Sequence, residues 1–172
     1  MDPILLHVDD AEDDIMLLNA ALQRGAIPFR LKQFTSIAPA IAYLRGEGSF
    51  NDRELHPLPS AVLLDHHLCG FTGAEALTEL RKLPGCSRLP FVILSGSESP
   101  EHLRESYEAG ADHFILKPSG QGRLELVLKT LYECATARPP CFTAFQALAE
   151  YRGLPLADPL APPPTNRAFN RR

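Results

Sequence analysis

Short runs of apolar residues recur along the chain, and each is followed by polar residues that mark a turn. Residues 4–8, 61–64, 91–94 and 114–116 are almost entirely apolar, which is typical of strands buried on both faces of a parallel sheet. Residues 29–34 instead alternate apolar and polar side chains. That alternation predicts a half-buried strand, expected at an edge of the sheet.

Segments with apolar residues at helical spacing separate these strands. Ser36 is expected to cap one helix, and Ser99 followed by Pro100 is a strong start signal for another. The alternation of strands and helices predicts an α/β protein with a doubly wound, five-stranded parallel sheet in the order 2-1-3-4-5. The other predicted helices cover residues 11–25, 73–80 and 122–137, and residues 46–59 form a long polar loop.

Charged and hydroxyl side chains stand where four of the predicted strands end. Asp9 and Asp10 follow the first strand, and Asp65 follows the third. Ser95 ends the fourth strand and Lys117 follows the fifth. Because the carboxyl ends of parallel strands meet at one edge of a sheet, these side chains are expected to converge. Clustered carboxylates favour a hard cation such as Mg²⁺, and a nearby ammonium suits phosphoryl chemistry.

Composition and charge exclude several classes of function. The formal net charge of -4 at pH 7 argues against general nucleic-acid binding, which needs clustered cations. We expect no membrane segment and no signal peptide, because no apolar run is long enough and the N-terminus lacks the required pattern. The four cysteines lack C-x-x-C spacing, which is typical of reduced thiols in a cytoplasmic protein. The rings of His66 and His67 are expected to point to opposite faces, which argues against a zinc site.

The order of the strand-end residues resembles that of receiver domains of two-component response regulators. The resemblance covers residues 4 to 137 and implies a flavodoxin-like receiver fold, with residues 1–137 as the domain. The start of the chain and the loop 46–59 are similar to single-domain regulators that partner phytochrome-type and other sensor kinases. The motifs that carry the resemblance are Asp9-Asp10, Asp65, Ser95, Phe114 and Lys117-Pro118, in the family's order.

The resemblance implies a phosphoacceptor beside a metal ion. Asp65 would accept a phosphoryl group from a phosphohistidine of a sensor histidine kinase. Asp10, Asp65 and the backbone carbonyl of His67 would bind Mg²⁺ directly, and Asp9 would act through water. The protein would then act on itself, by phosphoryl transfer and autodephosphorylation, with no external substrate to turn over.

The resemblance also implies residues that respond to the phosphoryl group. Lys117 would pair with its oxygens, and the hydroxyl of Ser95 would move to hydrogen-bond them. Phe114 would then swing inward behind Ser95. In this family the bond between Lys117 and Pro118 is usually cis.

The segment after the acceptor departs from the family pattern. A Met-Pro or Leu-Pro pair is usual, whereas this chain has Leu68-Cys69. The substitution is expected to alter loop shape and phosphoryl lifetime without removing a ligand. His66 and His67 are interpreted as surface residues that flank the site, with a role of His66 in tuning dephosphorylation as the alternative.

The output is expected to be contact with another protein. The last predicted helix carries Leu126 and Tyr132 outside its core stripe, and Tyr107 on the preceding helix is a candidate neighbour. These residues indicate either an interface, such as a homodimer through helix 4, strand 5 and helix 5, or scattered surface apolar side chains.

Two other functions compete with phosphorylation-dependent signalling. One is a phosphorylation-independent adaptor that keeps the receiver fold. Against it, the acidic residues and Lys117 are all present, and degenerate receivers usually lose one of them. The other is a metal-dependent phosphatase of the haloacid dehalogenase kind, which would need a second aspartate where this chain has His67.

The composition changes after residue 137. The segment 138–172 is rich in proline, and a short helix over residues 143–151 is predicted within it. Such a segment is either a solvated end or an arm that docks a partner or stabilises a dimer.

Overall fold

The computed structural model of the protein describes residues 2–117 and 121–137. Five parallel strands form one sheet in the order 2-1-3-4-5, which confirms the predicted topology. The second strand lies at an edge and is half-buried, also as predicted. The strands are β1 Ile4–Val8, β2 Arg30–Phe34, β3 Ala61–Asp65, β4 Phe91–Ser95 and β5 His113–Leu116.

Helices cover both faces of the sheet, so the central strands are buried on both sides. Leu5 faces a core layer shared with the first and last helices, and Leu6 faces the opposite layer. This alternation along strands with no polar face is the physical reason for continuous apolar runs. The helices are α1 Glu12–Arg24, α2 Ile37–Arg45, α3 Gly73–Arg81, α4 Pro100–Glu108 and α5 Gln121–Thr136.

Of the two helix starts predicted from serine caps, the one at Ser99 is confirmed in full and the one at Ser36 only in its position. Ser99 caps α4 by accepting a hydrogen bond from the N–H of Glu101, and Pro100 is the first helical residue, as predicted. Ser36 precedes α2, but its side chain makes no capping hydrogen bond, so that part of the prediction is wrong. Thr72 and Glu75 form a capping box at α3 that the sequence reading missed.

The long connection between α2 and β3 is more ordered than a polar loop. It contains a 3₁₀ helix, Gly48–Phe50, and the ring of Phe50 packs against Phe34 and Tyr43. The guanidinium of Arg53 donates to the carbonyls of Tyr43 and Leu44 at the end of α2. These bonds satisfy helix carbonyls that would otherwise lack partners.

The segment just after β3 was also missed. His67–Leu68 pairs with Phe71–Thr72 as a two-stranded antiparallel hairpin. The hairpin brings the chain directly from the end of β3 to the start of α3, where the N–H of Gly73 donates to the carbonyl of His66 at 2.6 Å. The backbone after Asp65 is therefore fixed on both sides of the turn.

Several expectations fall outside the described residues. They are the bond to Pro118, the extension 138–172 and the helix predicted over residues 143–151. Among the residues that the structure describes, no helix has the length and apolar character needed to cross a bilayer.

Candidate functional site

The predicted site residues come together at one edge of the sheet. The register pairs Asp65 with Leu94 on β4 and pairs Ser95 with Leu116 on β5. The N–H of Lys117 then donates to the carbonyl of Ser95 at 2.7 Å. The parallel ladder therefore delivers the ends of β3, β4 and β5 to the same place, with the end of β1 beside them.

The ammonium of Lys117 lies among three carboxylates. Its Nζ is 2.7 Å from Oδ1 of Asp65, 3.1 Å from Oδ2 of Asp9 and 2.6 Å from Oδ2 of Asp14. Burial alone would lower the pKa of Lys117, but hydrogen bonds to Asp14 and Asp65 and the nearby charges raise it well above its ordinary value. Lys117 is therefore a fixed cation that touches the predicted acceptor.

Asp65 and Asp9 are both almost fully buried, yet their pKa values move in opposite directions. Burial raises the pKa of Asp65, assisted by the charge of Asp9, against the lowering effect of Lys117. Burial acts on Asp9 in the same sense, but interactions with His7, the N–H of Ala11 and Lys117 together lower its pKa below the ordinary value. Asp9 is thus the more firmly ionised of the two, and Asp65 depends on neighbouring cations for its charge.

The acidic residues fit a divalent cation with hard oxygen ligands. Asp9, Asp10 and Asp65 each offer an oxygen, and these oxygens lie within 4.8 Å of one another. Opposite ligands of an octahedral Mg²⁺ are about 4 Å apart, so the carboxylates are placed to share one ion directly or through water. Lys117 offsets one of the negative charges, and a divalent cation would offset the rest.

The hairpin contributes two backbone donors to this cluster. The N–H of His67 donates to Oδ2 of Asp65 at 3.0 Å, and the N–H of Cys69 donates to Oδ2 of Asp10 at 3.0 Å. Proline has no N–H, so the cysteine at position 69 permits a bond that the family's usual proline would prevent. The departure from the family pattern therefore affects a predicted metal ligand.

Ser95 and Phe114, the two predicted switch residues, are both buried. The hydroxyl of Ser95 is fully buried and is hydrogen-bonded with the backbone of Ser97. The ring of Phe114 is buried in the core and lies 6.3 Å from the ring of His66, centroid to centroid. Phe114 thus already occupies an inward position in this structure.

The backbone at the end of β3 leaves no room for a side chain at Gly73. A Cβ at this position would lie 2.7 Å from the carbonyl oxygen of Asp65 and 2.9 Å from the Cα of His66. Real Cβ atoms essentially never approach other atoms so closely. Gly73 therefore lets the first turn of α3 pack directly against the backbone of Asp65 and His66, and a glycine at a helix start did not reveal this role in the sequence.

The interpretation of both histidines as surface residues is correct for His67, which is exposed, and wrong for His66. His66 is 1% exposed, so it is a core residue and not a surface residue. Its ring lies 4.7 Å from that of His67, centroid to centroid, so the rings do not diverge to opposite faces. The turn that follows β3 removes the strand geometry on which the expectation rested.

The contribution of α1 to the site was also missed. Asp14 lies in the first turn of α1 and accepts the shortest hydrogen bond that Lys117 donates. The helix dipole alone favours an acidic residue in the first turn of a helix, so Asp14 needs no further contact to explain it. The sequence therefore carried no separate signal for this contact.

The predicted apolar patch on the last helices is smaller than expected. Leu126 is 51% exposed, in keeping with the prediction. The ring of Tyr132 instead contacts that of Phe29, with the centroids 5.2 Å apart, and Tyr107 packs against the core. For these two tyrosines, the interpretation as an interface is not supported by their packing.

Comparison with known proteins identifies the family. The family described as the response regulator receiver domain matches residues 5–129, and the chain belongs to this family. Two-component response regulator ORR13 of Oryza sativa subsp. japonica is 30% identical over 116 residues, which cover 67% of this chain and 87% of the rice protein. Response regulator Rcp1 of Synechocystis sp. is 29% identical over 114 residues, covering 66% and 76% of the two chains.

Solved structures have the same fold. The phosphorylated cyanobacterial phytochrome response regulator RcpA superposes with a TM-score of 0.70 at 28% identity, covering 80% of this chain and 96% of its own. The Mn²⁺-bound form of response regulator Rcp1 superposes with a TM-score of 0.63 at 26% identity, covering 75% and 91%. The doubly wound receiver fold predicted from the sequence is thereby confirmed, and the relatives include phytochrome response regulators.

Proposed function

We propose that the protein is a response regulator that accepts a phosphoryl group on Asp65 from a sensor histidine kinase. The observation that carries the proposal is the buried carboxylate of Asp65 held by Lys117 on one oxygen and by the N–H of His67 on the other. Two further carboxylates, Asp9 and Asp10, each offer an oxygen within 4.8 Å of one from Asp65. This constellation positions a nucleophile and neutralises charge, which is most of what phosphoryl transfer requires.

The transfer step is an exchange of bonds at phosphorus. The bond between phosphorus and an imidazole nitrogen of the kinase breaks as a bond to a carboxylate oxygen of Asp65 forms, and the imidazole leaves with the electron pair. Lys117 donates to the oxygens on which negative charge accumulates. Since the pKa of Asp65 is raised by burial, the contact with Lys117 helps to keep this nucleophile ionised.

We assign the metal site to Mg²⁺. Asp10, Asp65 and the carbonyl of His67 are the direct ligands, and Asp9 acts through water. When bound, the ion supplies positive charge that the three carboxylates and the incoming phosphoryl group need. That a form of the response regulator Rcp1 is Mn²⁺-bound supports the proposal that this protein binds a divalent cation.

The proposed response runs through Ser95 and Phe114. The hydroxyl of Ser95 leaves the backbone of Ser97 to bind the phosphoryl group, and Phe114 stays packed behind it. The signal is then read from the face formed by α4, β5 and α5, where a homodimer is the proposed assembly. Leu126, which is exposed on α5, is the apolar contact that we assign to it.

The proposed partner is a phytochrome-type sensor kinase. This proposal follows the names of relatives, since RcpA is a phytochrome response regulator. A kinase that draws its phosphoryl group from ATP would place the protein in the cytoplasm. No contact with nucleic acid or membrane is part of the proposal.

The test is phosphoryl uptake followed by intact mass. The full chain is incubated with Mg²⁺ and acetyl phosphate, and the expected product carries one added phosphoryl group. Asp65→Asn is expected to give no product, whereas Asp13→Asn, which alters an exposed carboxylate on α1, is expected to react normally. If the wild-type protein takes up no phosphoryl group from either this donor or a sensor kinase, the protein is a phosphorylation-independent adaptor.

A further inference from the structure

Three histidine rings meet beside the carboxylate site. The ring centroids of His66 and His102 are 4.2 Å apart, and the ring of His67 lies 4.7 Å from His66 and 5.4 Å from His102. One nitrogen from each ring can be chosen so that all three lie within 4.8 Å of one another. His66 and His67 follow β3, and His102 lies in the first turn of α4. The cluster therefore joins two elements that are far apart in the chain.

Two nitrogens in this cluster have no hydrogen-bond partner among the residues that the structure describes. They are Nδ1 of His66 and Nδ1 of His102, both removed from solvent. A buried polar atom without a partner costs about 1–3 kcal/mol of stability. Packing in the core therefore does not by itself explain why imidazoles occupy these positions. An aromatic ring of similar size would fill the space without that cost.

We propose that His66, His67 and His102 bind a divalent transition metal ion of the zinc class. In a tetrahedral zinc site with Zn–N distances near 2.0–2.1 Å, the ligand nitrogens are about 3.4 Å apart. The nitrogens must approach by about 1.4 Å at most to reach that spacing. His67 is exposed and His102 half-exposed, so rotation of these two side chains can supply the movement, and water completes the fourth position.

The ligand types separate this site from the magnesium site. Imidazole nitrogen favours zinc, copper and nickel, whereas carboxylate oxygens favour magnesium and calcium. Both sites involve the turn after β3, because the His67 ring belongs to the histidine cluster and the His67 N–H binds Asp65. The existence of the histidine site does not depend on phosphorylation of Asp65, so the two proposals can fail separately.

Zinc titration of the full chain tests the site. Isothermal titration calorimetry is performed with excess Mg²⁺ present, so that the carboxylates are engaged. Loss of even an outer-shell partner weakens metal sites by about 10–100-fold, and His67→Gln and His102→Gln are each expected to weaken Zn²⁺ binding at least as much. His56→Gln is the matched control, because that ring packs on Phe50 and Tyr43 in the connection before β3. Asp10→Asn is expected to leave Zn²⁺ affinity unchanged.

Two spectroscopic measurements complete the test. Co²⁺ in place of Zn²⁺ is expected to give the strong visible absorption of a four-coordinate ion, absent in His67→Gln. Zn²⁺ is also expected to slow amide exchange in α4, because His102 is drawn toward β3. Equal Zn²⁺ affinity in wild type and His67→Gln would overturn the proposal, and since the His67 side chain is exposed that variant is expected to fold. Loss of binding in Asp10→Asn alone would likewise overturn it, by placing the zinc on the carboxylates.

Discussion

Asp14 accepts a 2.6 Å hydrogen bond from Lys117, which makes α1 part of the site. Lys117 also contacts Asp65 at 2.7 Å and Asp9 at 3.1 Å. One ammonium therefore connects the loop after β1, the first turn of α1, the end of β3 and the end of β5. Because the like charges of these carboxylates repel one another, the ammonium of Lys117 stabilises the arrangement.

Replacing Lys117 with a neutral residue is expected to make the free energy of unfolding depend on Mg²⁺. Lys117→Gln leaves Asp9, Asp14 and Asp65 facing one another without the ammonium, at a cost of about 1–3 kcal/mol in the free energy of unfolding. Mg²⁺ is expected to restore part of this loss, because it binds the more negative native state. Urea unfolding with EDTA and with Mg²⁺ measures both effects. Lys82→Gln, which removes an exposed partner of Glu79, is the control, and an equal loss in that variant contradicts the prediction.

The bond from Cys69 to Asp10 is expected to weaken metal binding. Asp10 now accepts the N–H of Cys69, and a proline at this position would free the carboxylate. A net hydrogen bond is worth about 0.5–1.5 kcal/mol, so Cys69→Pro is expected to tighten Mg²⁺ binding by up to about tenfold. Mg²⁺ titration monitored by calorimetry provides the measurement. Cys69→Ala keeps the N–H and should match the wild type, and a similar gain in that variant would assign the effect to the thiol.

The sheet could be predicted from the sequence because each central strand can be buried in only one way. Apolar runs such as 61–64 can be buried only between helix layers, and polar residues at their ends then meet at one edge. The meeting of Asp65 with Lys117 followed from that topology alone. What escaped prediction depends on turns. The hairpin after β3 determines the orientation of His66. The contact between His66 and His102 depends on the packing of α4, which no local sequence pattern predicts.

Gly73 is expected to be intolerant of even a methyl group. Its Cβ would overlap the backbone of Asp65 and His66, and overpacking of this kind costs about 1–3 kcal/mol. Gly73→Ala is therefore expected to lower stability and to slow phosphoryl uptake, because the acceptor must shift. Gly122→Ala is the matched control, since no described residue lies within 4 Å of a Cβ there and α5 gains a better helix former. Thermal unfolding and acetyl phosphate labelling distinguish the two variants.

The proposed output face makes a prediction about assembly. Leu126 is 51% exposed on α5, and a charge there would be buried in a dimer formed through α4, β5 and α5. Leu126→Glu is expected to keep the protein monomeric after activation with beryllofluoride, a phosphoryl mimic, while wild type dimerises. Leu55→Glu changes an equally apolar residue that is 68% exposed in the connection before β3 and should dimerise normally. Light scattering after size-exclusion chromatography gives the masses, and a Leu126→Glu dimer would exclude this face.

His66 is expected to make the protein sensitive to mild acid. Burial, together with repulsion from His102 and His67, lowers the pKa of His66 from 6.5 to about 4. Between these values the unfolded chain binds more protons than the folded one, so stability is complete above pH 6.5 and falls toward pH 4, by about 1.4 kcal/mol per pH unit at most.

His66→Phe removes the titration and keeps a ring beside Phe114. Since Nδ1 of His66 lacks a partner, this variant should be at least as stable as wild type at pH 7. Urea unfolding in EDTA across this range compares the two proteins under conditions where carboxylate effects cancel, and curves that remain parallel would show that His66 is not the titrating group.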